Sequence, residues 1–296
     1  MNLVELDSIP ELAALYRGQV THLASKRTRV DDPTTGYAVR GLRPDVSRLA
    51  AYCQATGLRL GNQLPVTYPY VLGFPLAIKT MDHPEFPFKP MGAVHISNTI
   101  TQRRPLTVDD ALDIEVYADN VRPHRKGLLI DMHTRVLTAG EPAWEQTSTF
   151  LSTGARFTSA TPEAVAARPE DTGRVLPGPN EAASAPSRTA AHLRFDRPGT
   201  SAYAEASGDK NPIHVSVAGA KLFGFPAPIA HGMYSLARMV AFEEGRLPAA
   251  VRLETDFYKP ILLPAKTTLV DAGDGRRILR RNAEKVHVIA QVSAAS

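Results

Sequence analysis

Two series of alternating apolar and polar positions run along the chain, one in each half. Val94–Ile100 and Val251–Phe257 alternate most regularly and are rich in β-branched residues, which predicts half-buried strands. Ile114–Tyr117, Leu128–Met132 and Thr147–Leu151 continue the first series, and Leu269–Ala272, Arg277–Leu279 and Val286–Val292 continue the second. Ahead of each series lies a stretch that is apolar on nearly every side. Tyr70–Met81 fills that place in the first half, and Ile229–Glu243, with Ile229, Met233, Leu236 and Val240, fills it in the second. Such stretches predict buried helices. A long buried helix followed by antiparallel strands is an α+β pattern, with a sheet curled around the helix.

The two halves also match residue by residue. Leu42-Arg43-Pro44-Asp45 falls opposite Leu193-Arg194-Phe195-Asp196, and Ala51–Gly57 opposite Ala202–Gly208. Further on, Pro69–Phe74 faces Pro228–Met233, and Arg104–Val108 faces Lys259–Leu263. Four matches in one order predict two copies of one fold. The expected boundaries are 1–158 for the first copy and 189–296 for the second. The intervening 159–188 is rich in Pro, Ala, Gly and Glu and reads as a surface connection, with a short helix around Pro162–Ala167.

Composition narrows the function classes. At 296 residues, 43% hydrophobic and 22% charged, the chain is of globular type and can bury a sizeable core. No apolar run approaches the ~20 residues of a membrane helix, and the start Met1-Asn2-Leu3-Val4-Glu5 lacks the marks of a secretory signal. The single cysteine, Cys53, fits a reducing cytoplasm and reads as a structural thiol on a helix. A net charge of +4 is mild, and the densest basic cluster, Arg276–Arg281, reads as a solvated face. No nucleic-acid partner is expected. No His-Glu-x-x-His, cysteine pair, glycine-rich dinucleotide fingerprint or phosphate loop occurs, so neither metal nor nucleotide cofactor is expected.

The densest chemistry lies in Tyr203–Met239. Ser207-Gly208-Asp209 is followed by Asn211-Pro212-Ile213-His214, and then by Pro228-Ile229-Ala230-His231-Gly232-Met233. Gly208 and Pro212 exclude a continuous helix between the carboxylate and the imidazole. Gly232 opens the apolar helix, where backbone N–H groups are left without intrahelical partners. Taken singly, Asp209 reads as a turn residue, His214 as a core histidine and Ser207 as a cap. Jointly, an acid, an imidazole and a helix-start glycine equip a site for chemistry beside a carbonyl.

These motifs resemble those of the MaoC-like, R-specific enoyl-CoA hydratases and 3-hydroxyacyl-thioester dehydratases, mainly over the C-terminal hundred residues. The resemblance implies a fused double hotdog fold. It also implies Asp209 and His214 as the acid–base pair, Asn211 orienting it, and Gly232 as donor to the thioester oxygen. Ser207, Ile229 and His231 are expected to bind or orient substrate. The implied partner is an acyl-CoA or acyl-carrier-protein thioester, handled by a monomer or homodimer. A hotdog thioesterase and a non-catalytic thioester-binding subunit stand as alternatives.

In the first copy, Gly57–Gln63 has no acid, Asn-Pro or His where the second copy has Gly208–His214, and Leu72-Gly73 stands where the second copy has His231-Gly232. That copy is expected to be silent, with Leu58, Leu60, Leu72 and Phe74 lining an acyl channel. His83, His95, His124 and His133 are scattered through it and read as ordinary surface or sheet residues.

Overall fold

All the strands read from alternation are present. The computed structural model describes residues 1–12, 14–15, 30–88, 93–179 and 187–295. Residues 180–186, within the expected connection, lie outside them. In chain order the elements are β1 (Asn2–Leu6), β2 (Thr35–Leu42), α1 (Val46–Thr56), α2 (Tyr68–Asp82), β3 (Ala93–Gln102), β4 (Leu112–His124), β5 (Gly127–Thr138), β6 (Glu141–Thr153) and α3 (Glu163–Ala166). The second half adds β7 (Arg188–Phe195), α4 (Arg197–Ser207), α5 (Pro212–Val215), α6 (Val217–Leu222), α7 (Gly232–Val240), β8 (Val251–Phe257), β9 (Ala265–Asp271), β10 (Arg276–Arg280) and β11 (Val286–Ala294).

The chain forms two compact units. The first holds Met1–Arg43, Pro69–Ser97 and Asp109–Arg174; the second holds Pro44–Tyr68, Asn98–Val108 and Val175–Ser296. The units therefore do not follow the sequence boundaries of the copies, because α1 of the first copy folds with the second unit.

In the first unit the strands run β1-β2-β4-β5-β6. β1 is parallel to β2, and the other neighbours are antiparallel. The buried α2 meets this sheet at Gly73, where a Cβ would stand 2.7 Å from the Thr134 methyl on β5. Val71, Leu76, Ile114, Val116, Ile130 and Trp144 fill this core without exposure.

In the second unit the strands run β8-β11-β10-β9-β7, all antiparallel. α7 carries its apolar face inward through Met233, Leu236, Ala237 and Val240. It is shorter than expected, since Ile229 forms a bridge with Leu262 and the helix opens only at Gly232.

The repeat is visible in the hydrogen bonds. Asp45 caps α1 and Asp196 caps α4, each through its carboxylate. Gly57 and Gly208 end those helices at φ 81° and 80°, a left-handed turn that costs glycine no side-chain clash. Leu64 donates its N–H to Leu106 (2.8 Å) as Ala230 does to Ile261 (3.0 Å). Val108 donates to Asn62 as Leu263 donates to Pro228. The rings of Tyr52 and Tyr68 lie 5.1 Å apart, and those of Tyr203 and Tyr234 lie 5.0 Å apart.

This register corrects one sequence pairing. The counterpart of Pro228–Gly232 is Asn62–Val66, not the stretch ending at Gly73, so Val66 stands where the second copy has the helix-start glycine. Leu72 and Gly73 lie inside α2 instead. The mismatch arises because Gly57 is followed by Asn62 after a short turn, whereas Gly208 and Pro228 enclose α5 and α6. Leu60 is 53% exposed and lines no channel; Leu58, Leu72 and Phe74 are buried.

Candidate active site

Gly208 stops α4, and the chain turns through Asp209 and Lys210 before Asn211 starts α5. Asn211 serves both sides of this turn. Its N–H donates to Asp209 Oδ1 (3.2 Å), and its side-chain oxygen accepts from Ile213 N–H (3.3 Å). Pro212 follows at the first helical position, where a missing N–H costs nothing. One helical turn then carries His214. Ser207 is fully buried, and its Oγ accepts from the Asp209 N–H (3.2 Å), so it orients the turn from beneath.

His214 donates from Nδ1 to the Ile229 carbonyl (2.8 Å), which fixes the tautomer and leaves Nε2 as an acceptor. Ile229 thus contributes through its backbone. His231 caps α7 by position alone, with no side-chain hydrogen bond to the helix. Its Nε2 instead donates to the Asp209 carbonyl (2.9 Å) and lies 3.9 Å from the Asp209 carboxylate. The two imidazole rings stack with centroids 3.7 Å apart. Tyr203 is buried, and its ring lies 5.0 Å from that of His231.

Burial dominates the electrostatics. It pushes the His214 pKa below the ordinary imidazole value, with the Asp209 charge and the Ile229 carbonyl working the other way. His231 is held well below that value, first by burial and then by the neighbouring His214. Both rings are therefore neutral near pH 7.

The donor atoms of Asp209, His214 and His231 lie within 4.8 Å of one another. Sequence spacing did not single out this trio as a possible set of metal donors. Each imidazole already gives one nitrogen to a carbonyl, so the free atoms suit proton transfer. Gly232, half-buried, stands at the first position of α7, where N–H groups have no helical partner. A Cβ there would meet the Phe257 ring at 3.1–3.3 Å.

Sequence reasoning missed Arg48 on α1. Its guanidinium donates to the carbonyls of Ala206 and Ser207, both 2.9 Å, and so closes the end of α4 just before Asp209. A contact 158 residues away in sequence leaves no local signal. The first-copy histidines are spread over unit one. His133 does have an acid partner, Asp119 at 2.8 Å, across the paired strands β4 and β5.

Residues 183–292 match the MaoC like domain family. The 3-hydroxyacyl-thioester dehydratase X of Mycobacterium tuberculosis is 43% identical over 244 residues, which are 82% of this chain and 82% of that protein. The crystal structure of HtdX from the same organism superposes with a TM-score of 0.73 at 39% identity, over 88% of this chain and all of that one. Another protein of that organism, solved as a double hotdog, superposes at 0.55 with 13% identity, over 91% of this chain and 96% of the other. The fold is a double hotdog.

Proposed function

Because the chain belongs to the MaoC-like dehydratase family, we propose that Asp209 and His214 are the acid–base pair of a thioester hydratase. The enzyme interconverts trans-2-enoyl and 3-hydroxyacyl thioesters. The observation that carries the residue assignment is that a carboxylate oxygen of Asp209 and a ring nitrogen of His214 lie within 4.8 Å of each other. Two hydrogen bonds of about 2.8 Å, meeting at one water, bridge such a gap.

Asp209 presents its carboxylate and His214 a bare Nε2. In hydration, His214 takes a proton from the water as its oxygen bonds to C3 of the enoyl group. The C2–C3 π electrons pass to C2 and the thioester oxygen, and the imidazolium, stabilised by the Asp209 carboxylate, delivers that proton to C2. One water is added and the pair is restored. Dehydration is the same path reversed. The Gly232 N–H, at the positive end of α7, receives the charge that develops on the thioester oxygen. Asn211 and Ser207 hold the Asp209 turn, and His231 supports it from the far side. Water and proton arrive from one side, so the addition is syn, and the (R) configuration at C3 is what the likeness to the R-specific enoyl-CoA hydratases implies.

The N-terminal copy, 1–158, is the silent one. Between Gly57 and Asn62 it has only a short turn where the second copy has α5 and α6, and Val66 replaces the helix-start glycine. The single cysteine, Cys53, is a buried free thiol, which fits a reducing, cytoplasmic setting.

Incubation with crotonyl-CoA tests this reading. Loss of the enoyl absorbance with formation of (R)-3-hydroxybutyryl-CoA is expected. Release of free thiol without a hydroxyacyl product would instead identify a thioesterase.

A further inference from the structure

A cleft of about 420 Å³ opens in the second unit between the end of β7, the start of β9 and the turn joining β10 to β11. Its walls include Arg194, Lys266, Arg281 and Lys285, together with His287 and the Leu262–Leu263 segment. Four cations line one cleft, and no carboxylate is among its lining residues.

The arrangement works against stability. Arg194 and Lys266 sit directly opposite each other on β7 and β9, a like-charge pairing that weakens a sheet. Only Arg194 finds an ion pair, with Asp196 at 3.3 Å. The nearby basic run shows the contrast: Arg276 pairs with Asp274, and Arg277 with Glu243 (2.6 Å) and Asp271 (2.9 Å). Lys266, Arg281 and Lys285 have no such partner among the described residues. Lys285 and Arg281 are close enough to His287 to add to the depression that burial imposes on its pKa.

The Leu262–Leu263 wall of the cleft is tied by backbone contacts to the segment that holds His214. Leu262 bridges to Ile229, whose carbonyl holds His214, and Leu263 donates its N–H to Pro228.

We propose that this cleft binds the phosphates of a coenzyme A carrier, with Lys266, Arg281 and Lys285 as the phosphate-holding residues and Arg194 behind them. The inference rests on the thioester reading above. A concave cleft fits a compact phosphate group, whereas an acidic carrier protein calls for a broad basic surface. The pantetheine arm would then run past Leu262 towards Ile229 and the acid–base loop.

The test compares crotonyl-CoA with crotonyl-pantetheine, which lacks the nucleotide phosphates, in the wild type and in Lys266→Ala, Arg281→Ala and the double variant. The single variants should raise KM for crotonyl-CoA several-fold and the double variant about tenfold or more, with kcat held and crotonyl-pantetheine unaffected. Equal losses on both substrates, or none on either, would overturn the assignment. So would a loss confined to a crotonyl-carrier protein. Calorimetric titration with adenosine 3′,5′-bisphosphate needs no turnover. Binding to wild type that is lost in the double variant supports the cleft, and absence of binding overturns it. Failure of the wild type to hydrate either thioester, with the bisphosphate still bound, would count against the reaction and not against the cleft.

Discussion

The imidazoles of His214 and His231 stack at 3.7 Å, and each gives its one N–H to a backbone carbonyl, His214 to Ile229 and His231 to Asp209. The two rings therefore lock the loop to the helix start from both directions while keeping His214 Nε2 bare. Two protonated rings at that separation would repel, so the geometry favours a neutral pair. His231 Nδ1 is left buried without a hydrogen-bond partner. An unmet acceptor of this kind costs about 1–3 kcal/mol.

Asp209→Asn and His214→Ala should each lower kcat about a hundred- to ten-thousand-fold while leaving the melting temperature within a few degrees of wild type. Steady-state hydration of crotonyl-CoA and a thermal melt check both. Near-normal turnover in either variant would remove that residue from the pair.

His231→Phe removes the unmet acceptor and the bond to Asp209 together and keeps an aromatic ring against His214. Stability should hold within about 1 kcal/mol, yet kcat should fall at least tenfold because the Asp209 turn loses a support. Urea unfolding and turnover measured on one preparation separate the two effects. A parallel collapse of both would make His231 a packing residue only.

The same histidines set a pH dependence. Buried neutral in the fold, His231, His214 and His287 have lowered pKa values, while in the unfolded chain they titrate near 6.5. Below about pH 6.5 the unfolded chain binds the extra protons, so stability is full above that pH and declines as pH falls towards the lowered folded values. Urea midpoints at pH 7.5 and 5.0 should differ less in His231→Phe than in wild type. An undiminished difference would mean that His231 does not contribute.

Arg48→Met tests the support from α1. It strips two carbonyl partners from the end of α4, and hydrogen bonds to a charged group contribute about 1.5–3 kcal/mol each when buried; these are half-buried, so a total loss of about 2 kcal/mol is expected. Turnover should drop more than KM rises. Unchanged stability would show that water replaces the guanidinium without cost.

Gly219→Ala presses on the loop from outside the reacting groups. Its Cβ would lie 2.5 Å from Pro212 Cβ and 2.8 Å from the Pro212 carbonyl oxygen. Relief requires α5 to move, and with it His214. A stability loss of about 1–3 kcal/mol with a larger fall in kcat is expected. Full activity would mean that the α6 backbone yields instead.

Periodicity revealed β3–β6 and β8–β11 because their alternation reflects one buried and one exposed face. It revealed α2 and α7 because buried helices are apolar all round. β1, β2 and β7 escaped: β1 and β7 are largely exposed strands with few apolar positions to alternate. The site was legible where residue types carry local geometry: Gly208 as a left-handed stop, Asn211 as a cap, Gly232 as a helix start. The stack of His231 on His214 and the reach of Arg48 depend on tertiary closure, and no short window of sequence contains both partners. The false match of Gly73 with Gly232 had another cause, since a length difference hidden between two anchors shifts everything after it.

The unequal spacing of Gly57–Asn62 and Gly208–Pro228 shows that the closing frame and the reactive segment are separable parts of this chain. The same cap, the same tyrosine pair and the same bridging hydrogen bonds close both frames, one with a bare turn and one with a reactive excursion. Shortening 209–227 to the length of Leu58–Gly61 should therefore leave a folded, inert molecule.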